Sequence, residues 1–334
     1  MKAIVYHRYG PPNVVTLAEV PKPAAKDNEV LIRIHATTVT TGDWRARSLI
    51  LPGGFGFMGR LVFGVFGPRQ PILGTELAGV VETVGKAVTR FKAGDQVFAF
   101  PGARYGSHAE YRTMPEDGLI AMKPANLSFE ETAALSFGGT NALKFLRDEA
   151  EIKQGDKVLI VGASGGVGTA AVQIAKHFGA ATTGVCSTAN LELIRSIGAD
   201  KVIDYTKEDF SKSGETYDII LDTTGTVLFA RCERALKPGG RLVVVQGTLA
   251  QALGIGRPSL ASGKKVIAGV VTPRVEDLQF LAKLAEAGEF KPVIDRSYPL
   301  ARAAEAHAYV DKGRKRGNVV MTLAHAGISP EVAA

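Results

Sequence analysis

Cysteine is almost missing from this chain: Cys186 and Cys232 are the only two among 334 residues. Two thiols cannot build a disulfide framework or a structural zinc site, which wants four ligands, mostly Cys. A reduced, buried pair is the expectation. The six histidines, His7, His35, His108, His177, His307 and His325, show no H-x-x-x-H or H-E-x-x-H spacing. No two therefore share one helix face, and no metal site is expected. Long apolar runs are absent too, since no segment approaches the ~18 consecutive apolar residues of a membrane span. The opening Met1-Lys2-Ala3-Ile4-Val5-Tyr6 reads as a short strand without the apolar core and cleavage site of a secretory signal, so the cytoplasm is expected. Dense charge is scarce as well: the net charge is +7, but Arg314-Lys315-Arg316 is the only close basic run. Nucleic acid is not favoured as a partner, and a small excess of cations suits a small anionic cofactor.

What is present is a change of pattern along the chain. Up to about Lys123, short β-rich runs alternate with Gly and Pro: residues 29–36, 78–85 and 95–100. That grammar is all-β. Residues 49–71, rich in glycine and phenylalanine, look too irregular for a regular element and too apolar for a solvated loop, and are expected to border a pocket. From Asn126 the pattern differs. Ser128 and Glu131 form a capping-box pair ahead of a helix. Strands at 157–161, 181–186, 217–222, 241–246 and 265–270 then alternate with helices at 169–178, 190–197 and 275–287. Such alternation predicts βαβ units in a doubly wound sheet. The tail from Lys291, with a helix at 301–310, is expected to return to the first domain. The domains are read as 1–125, 126–265 and 266–334, the last holding the final sheet elements and that return.

The sharpest motif is Gly162-Ala163-Ser164-Gly165-Gly166-Val167-Gly168, because it follows an expected strand and opens an expected helix. Small residues there allow a tight turn, let backbone N–H groups approach a pyrophosphate, and let helix and strand pack closely. A dinucleotide site is predicted. Its preference is set at the end of the next strand, where an NAD site places Asp or Glu on the ribose hydroxyls. Here the chain runs Cys186-Ser187-Thr188-Ala189-Asn190, and Glu192 lies a turn into the following helix. Neutral donors tolerate a 2′-phosphate that a carboxylate would repel, so NADPH is favoured over NADH.

Several motifs occur together in order: Gly74-Thr75-Glu76-Leu77-Ala78-Gly79-Val80-Val81, then Val84-Gly85 through Val88, Phe91 and Gly94-Asp95-Gln96-Val97, then Leu236-Lys237-Pro238-Gly239-Gly240 and Gly317-Asn318-Val319-Val320. Over nearly its whole length the chain resembles the zinc-free, quinone oxidoreductase-like medium-chain dehydrogenase/reductases. The resemblance implies a GroES-like β domain made by both chain ends beside a Rossmann domain, an active site in the cleft between them, and a homodimer. It also implies that Ser187, Asn190 and Tyr205 surround the 2′-phosphate, and that Thr140, Gln246 and Asn318 line the path towards nicotinamide. Where zinc-dependent relatives carry a ligating Cys, this chain has Thr38-Val39-Thr40-Thr41-Gly42-Asp43, with Thr40 in place of the zinc-free family's Asn.

The expected chemistry is hydride transfer from NADPH to an electron-poor enone or quinone, a small-molecule substrate, without zinc. Thr40, Tyr105 and Asp43 are the candidate groups near the developing enolate oxygen. Trp44, Phe57, Phe63 and Phe66 are candidates for an apolar wall. An alcohol dehydrogenase or enoyl-thioester reductase on the same scaffold stays open as an alternative, as does a non-catalytic NADPH- or RNA-binding protein.

Overall fold

In the computed structural model, residues 1–252, 263–269 and 271–325 are described. In chain order they form β1 (Lys2–Val5), β2 (Thr16–Glu19), β3 (Glu29–Thr38), α1 (Thr41–Ser48), α2 (Gly56–Phe63), β4 (Leu77–Val84), β5 (Gln96–Ala99), β6 (Tyr111–Pro115), β7 (Ile120–Met122), α3 (Phe129–Ala133) and α4 (Ser136–Leu143). There follow β8 (Lys157–Val161), α5 (Gly166–His177), β9 (Ala181–Cys186), α6 (Leu191–Ser196), β10 (Lys201–Asp204), β11 (Tyr217–Asp222), α7 (Phe229–Cys232), β12 (Leu236–Val244) and α8 (Leu249–Ala252). After these come β13 (Lys265–Ala268), α9 (Val275–Glu286), β14 (Ile294–Pro299), α10 (Ala303–Asp311) and β15 (Asn318–Thr322). Contacts divide the chain into two compact units, one of Met1–Leu51, Gly56–Phe137 and the chain from Arg274, the other of Pro52–Phe55 and Gly138–Pro273.

The first unit is built on a mostly antiparallel sheet in the order β14-β15-β3-β4-β5-β7 among the described residues, with β6 also paired to β3. The strand β3 is long because Val30, Ile32 and Ile34 point into one core while its backbone serves three partners. Met321 and Val319 of β15 share that core, so the chain end returns to the sheet its beginning laid down. Each such apolar side chain contributes about 1.5–3 kcal/mol when fully buried. Residues 126–137 stay with this unit although the sequence pattern changes near Asn126. Ser128 and Glu131 close the expected capping box, His35 stacks on Phe129 with ring centroids 4.4 Å apart, and the Asn126 amide donates to Ala285 O at 2.8 Å.

The second unit holds a parallel sheet in the order β10-β9-β8-β11-β12-β13. Its strands read as continuous apolar runs, Val158-Leu159-Ile160 and Ile219-Ile220-Leu221, all without solvent exposure, as a sheet covered on both faces requires. The strand order reverses between β8 and β11, and the carboxyl end of β8 beside that reversal is where a doubly wound sheet presents a ligand site.

Two local expectations change. Residues 49–71 do contain a regular element, α2, and the chain visits the second unit at Pro52–Phe55, where Leu249 N donates to Gly53 O at 3.0 Å. The helix escaped notice because glycines at 53, 54, 56, 59 and 64 break up the segment, although Phe57, Met58, Leu61 and Val62 recur at helical spacing on a face that the fold leaves exposed. The strand expected at 241–246 begins earlier, at Leu236, and ends at Val244, leaving Gln246 in the following loop. Val270, the last residue of the strand expected at 265–270, and the residues after 325 in the region 266–334 lie outside the described residues.

Candidate functional site

The loop after β8 is set by two glycines. Gly162 takes a φ of +77°, and a Cβ there would lie 2.5 Å from Thr224 Cγ2 and 2.6 Å from Thr223 Oγ1. At Gly168 a Cβ would meet Gly162 O at 2.2 Å. Only glycine permits this closeness of helix and strand. The N–H groups of Gly162 and Ala163 both donate to Val185 O, at 3.1 and 3.0 Å, which ties the turn to β9. Gly165 caps α5 with extended backbone and no side-chain hydrogen bond. The first-turn N–H groups beyond Ser164 and Gly165, at Gly166, Val167 and Gly168, therefore have no capping side chain to satisfy them. Twelve residues of helix dipole add positive potential at the same point. The donor set fits a pyrophosphate.

At the end of β9, Ser187, Asn190 and Tyr205 come together. Tyr205 N donates to Cys186 O at 3.1 Å, and the Asn190 amide donates to Ser187 Oγ at 3.3 Å. Asn190 Oδ1 is buried without a partner, while the Tyr205 side chain is exposed. Glu192 points to solvent and pairs with Arg195. A carboxylate that the linear reading passed over stands close by: Asp204, at the end of β10 opposite Cys186. It accepts the Thr188 hydroxyl and, at 2.7 Å, the Thr206 hydroxyl, bonds that hold its pKa down to about 2. Asp204 is thus occupied by neighbouring threonines, and Thr188 is spent on Asp204. Strand pairing rather than sequence distance brings them together, so no linear signal marks it.

Thr140 is buried in α4 of the second unit. Gln246 reaches back to the glycine loop's neighbour, donating from Nε2 to Thr223 O at 2.9 Å. Asn318, at the start of β15 in the first unit, donates from Nδ2 to Val293 O at 3.1 Å and so shapes the turn it leaves.

Thr40, Asp43 and Tyr105 form one cluster in the first unit. Thr40 caps α1, and Asp43 completes the box: Asp43 Oδ2 accepts Thr40 N at 2.8 Å and Thr40 Oγ1 at 2.6 Å, while Oδ1 accepts Gly74 N at 2.8 Å. Asp43 is fully buried, and its bonds are those of a structural carboxylate. Thr40 Oγ1 also lies 3.1 Å from Thr75 Oγ1. Tyr105 takes a positive φ of 48°, rare for a side chain of its size, with its hydroxyl making one long bond, 3.4 Å, to Gly42 O. Burial, with Asp43 and Tyr6 adding to it, raises the Tyr105 pKa, so the phenol keeps its proton. Next to this cluster lies an acid not singled out beforehand, Glu76. It is wholly buried, accepts Thr38 Oγ1 and Phe137 N, each at 2.5 Å, and burial pushes its pKa up to about 8.

Of the aromatic wall candidates, Trp44 and Phe63 pack against the first unit's core, whereas Phe57 and Phe66 are exposed. Both cysteines are buried free thiols of the second unit. Among the described residues no group of three or more His, Cys, Asp or Glu could hold a metal ion, and no helix is long and apolar enough to cross a membrane.

This architecture has close counterparts. Residues 26–124 match the alcohol dehydrogenase GroES-like domain family and residues 197–321 the zinc-binding dehydrogenase family. The chain is 35% identical over 333 residues to the 2-methylene-furan-3-one reductase of Solanum lycopersicum, covering 96% of this chain and 79% of that one. It is 33% identical over 333 residues to the chloroplastic NADPH-dependent alkenal/one oxidoreductase of Arabidopsis thaliana, with the same 96% and 79% coverage. The quinone oxidoreductase from Coxiella burnetii superposes with a TM-score of 0.84 at 29% identity, over 97% of this chain and 99% of that one. A GroES-like unit and a Rossmann-type unit in one chain, with relatives of this identity along most of its length, place it in a single family: the protein is an oxidoreductase of the medium-chain dehydrogenase/reductase family, in its quinone oxidoreductase branch.

Proposed function

We propose that the protein is an NADPH-dependent, zinc-independent reductase of electron-poor enones or quinones. The observation that carries this reading is the uncapped N-terminus of α5 behind the cramped Gly162 and Gly168, followed at the end of β9 by neutral Ser187 and Asn190. The residues proposed to hold the cofactor are Gly162, Ala163, Ser164, Gly165, Gly166, Val167 and Gly168 at the pyrophosphate and Ser187, Asn190 and Tyr205 at the 2′-phosphate. Thr140, Gln246 and Asn318 are proposed along the path to nicotinamide. Bound NADPH supplies the hydride, which is the difficult part of the chemistry.

The chain's own task is then to orient the acceptor and stabilise charge on its oxygen. Of Thr40, Tyr105 and Asp43, we assign the donor role first to Tyr105. The Thr40 proton is committed to Asp43 at 2.6 Å, and Asp43 to three donor bonds, whereas the Tyr105 hydroxyl has only a 3.4 Å contact. Thr40, held between Asp43 and Thr75, positions that hydroxyl's surroundings. The case against zinc rests on the donors: neither cysteine belongs to the first unit, and Thr40 stands where a ligating Cys would. Lys315 of the basic run turns inward to Gly317 O at 2.5 Å, and Arg316 N is held by Asp295, which supports a small-molecule substrate over a nucleic acid. Two thiols kept buried and free fit a reducing compartment, and a cytoplasmic homodimer completes the reading.

The experiment is NADPH oxidation followed at 340 nm with a benzoquinone, a small enone, an enoyl-CoA and, in reverse, simple alcohols. The reading expects turnover with the quinone or the enone. Turnover confined to the thioester or the alcohols would overturn it.

A further inference from the structure

A cavity of about 700 Å³ opens in the first unit, and the cluster of Thr40, Asp43 and Tyr105 takes no part in lining it. Its walls are largely apolar, with Val5, Val20, Pro21, Ile72 and Met114 among them, yet two arginines, Arg104 and Arg112, also line it. Arg112 sits over Gly106, so close that a Cβ on that glycine would fall 1.9 Å from Arg112 Nη1. Its Nε is buried without a hydrogen-bond partner. Burial, with Arg104 beside it, lowers the Arg112 pKa to about 10, which leaves it charged at neutral pH. Two carboxylates, Glu19 and Glu29, share the lining, but Glu29 is engaged by Lys26 N at 3.1 Å. Among the described residues neither carboxylate forms an ion pair with Arg104 or Arg112. Two like charges held together beside an apolar hollow, one with a buried donor unmet, are a costly arrangement unless an anion completes it.

We propose that this cavity is a binding site for a small amphiphile with a single oxyanion head group, the head held by Arg104 and Arg112 and the apolar tail lying along Val5, Val20, Ile72 and Met114. The volume suits a ligand of that size. A carboxylate and a phosphate monoester share the chemistry the two forks recognise, since both offer coplanar acceptor oxygens to a guanidinium.

Calorimetric titration of the full chain with octanoate, octyl phosphate and octanol tests the proposal, and the two anions separate a fatty-acid-like from a phosphate-bearing ligand. One site is expected for at least one anion and none for octanol. Arg104→Gln, an exposed position that leaves folding intact, should weaken the anion by about tenfold or more, and Arg112→Gln by at least as much. Thermal unfolding checks the fold of each variant, and Arg104→Gln decides the matter should Arg112→Gln not fold. Absence of heat with both anions to millimolar concentration overturns the proposal. So does equal binding of octanol, or anion binding untouched by Arg104→Gln but displaced by a saturating enone.

Discussion

Thr40 donates its hydroxyl to Asp43 at 2.6 Å and receives the Asp43 backbone N–H at 3.2 Å, so the two residues close the first turn of α1 on each other. A carboxylate bonded in this way holds structure together, and its loss should be felt first as stability. Asp43→Ala is expected to destabilise the first unit by about 2–4 kcal/mol, since a cap and charge-assisted bonds disappear together from a buried place. Urea unfolding followed by circular dichroism measures this. An unfolding midpoint within error of the parent would show that Asp43 is free for chemistry.

Tyr105→Phe removes the hydroxyl and little else, because its one bond is the 3.4 Å contact to Gly42 O. We expect kcat to fall about tenfold to a hundredfold, with KM for NADPH and the melting temperature unchanged. A variant with full kcat removes Tyr105 from the reaction and leaves Thr40 as the candidate.

Cofactor preference should respond to charge at the end of β9. Ser187→Asp would set a second carboxylate near Asp204, which is already ionised at neutral pH. Repulsion of the 2′-phosphate should lower kcat/KM for NADPH by about tenfold or more, equivalent to ~1.4 kcal/mol, with NADH affected far less. Parallel steady-state measurements with the two cofactors give the ratio directly, and an unchanged ratio would move the phosphate site elsewhere.

Gly168→Ala puts a methyl 2.2 Å from Gly162 O. Helix and strand must part, at about 1–3 kcal/mol, and the phosphate-binding turn shifts with them. The expected result is a lower unfolding midpoint together with loss of NADPH binding by fluorescence titration.

Glu76 gives stability a pH dependence whose sign is fixed. Burial raises its folded-state pKa to about 8, above the ordinary 4.5, so between those values the folded protein holds a proton the unfolded chain has released. Its contribution is full below pH 4.5 and is lost as pH rises through 8. The half-buried Lys315, pushed down by burial to about 8, acts in the opposite sense above that pH. Glu76→Gln mimics the neutral acid, donating to Thr38 and accepting from Phe137. It should match the parent near pH 5 and exceed its stability near pH 8. Parallel pH profiles of the two proteins would show that Glu76 does not titrate in this window.

Much of this was legible along the chain. The glycine loop, the strands at 157–161, 181–186 and 217–222 and the capping box at Ser128 and Glu131 are local signals, and each is read from neighbouring residues. The helix α2 was not, because the glycines around and within it mask the helical spacing of Phe57, Met58, Leu61 and Val62, which the fold leaves exposed. Nor was Asp204, which meets Thr188 only through the pairing of β10 with β9, or Glu76, whose hydrogen bonds come from Thr38 of β3 and Phe137 of α4.

By itself the sequence determined the family architecture, the phosphate-binding turn and the neutral side chains of Ser187 and Asn190 that follow β9, because those features follow from residues adjacent in the chain. The ionised Asp204 beside them is brought up by strand pairing. Tertiary structure decided which of the more distant hydroxyls keep a proton to give. Thr40 loses its own to Asp43, its neighbour three residues on, whereas Thr188 is claimed by Asp204 through strand pairing and Tyr105 is left with one long contact. It also decided that Arg104 and Arg112 share one hollow in which, among the described residues, neither forms an ion pair with Glu19 or Glu29. Hydrogen bonding and desolvation depend on what lies within a few ångströms in space, and only the folded chain sets that.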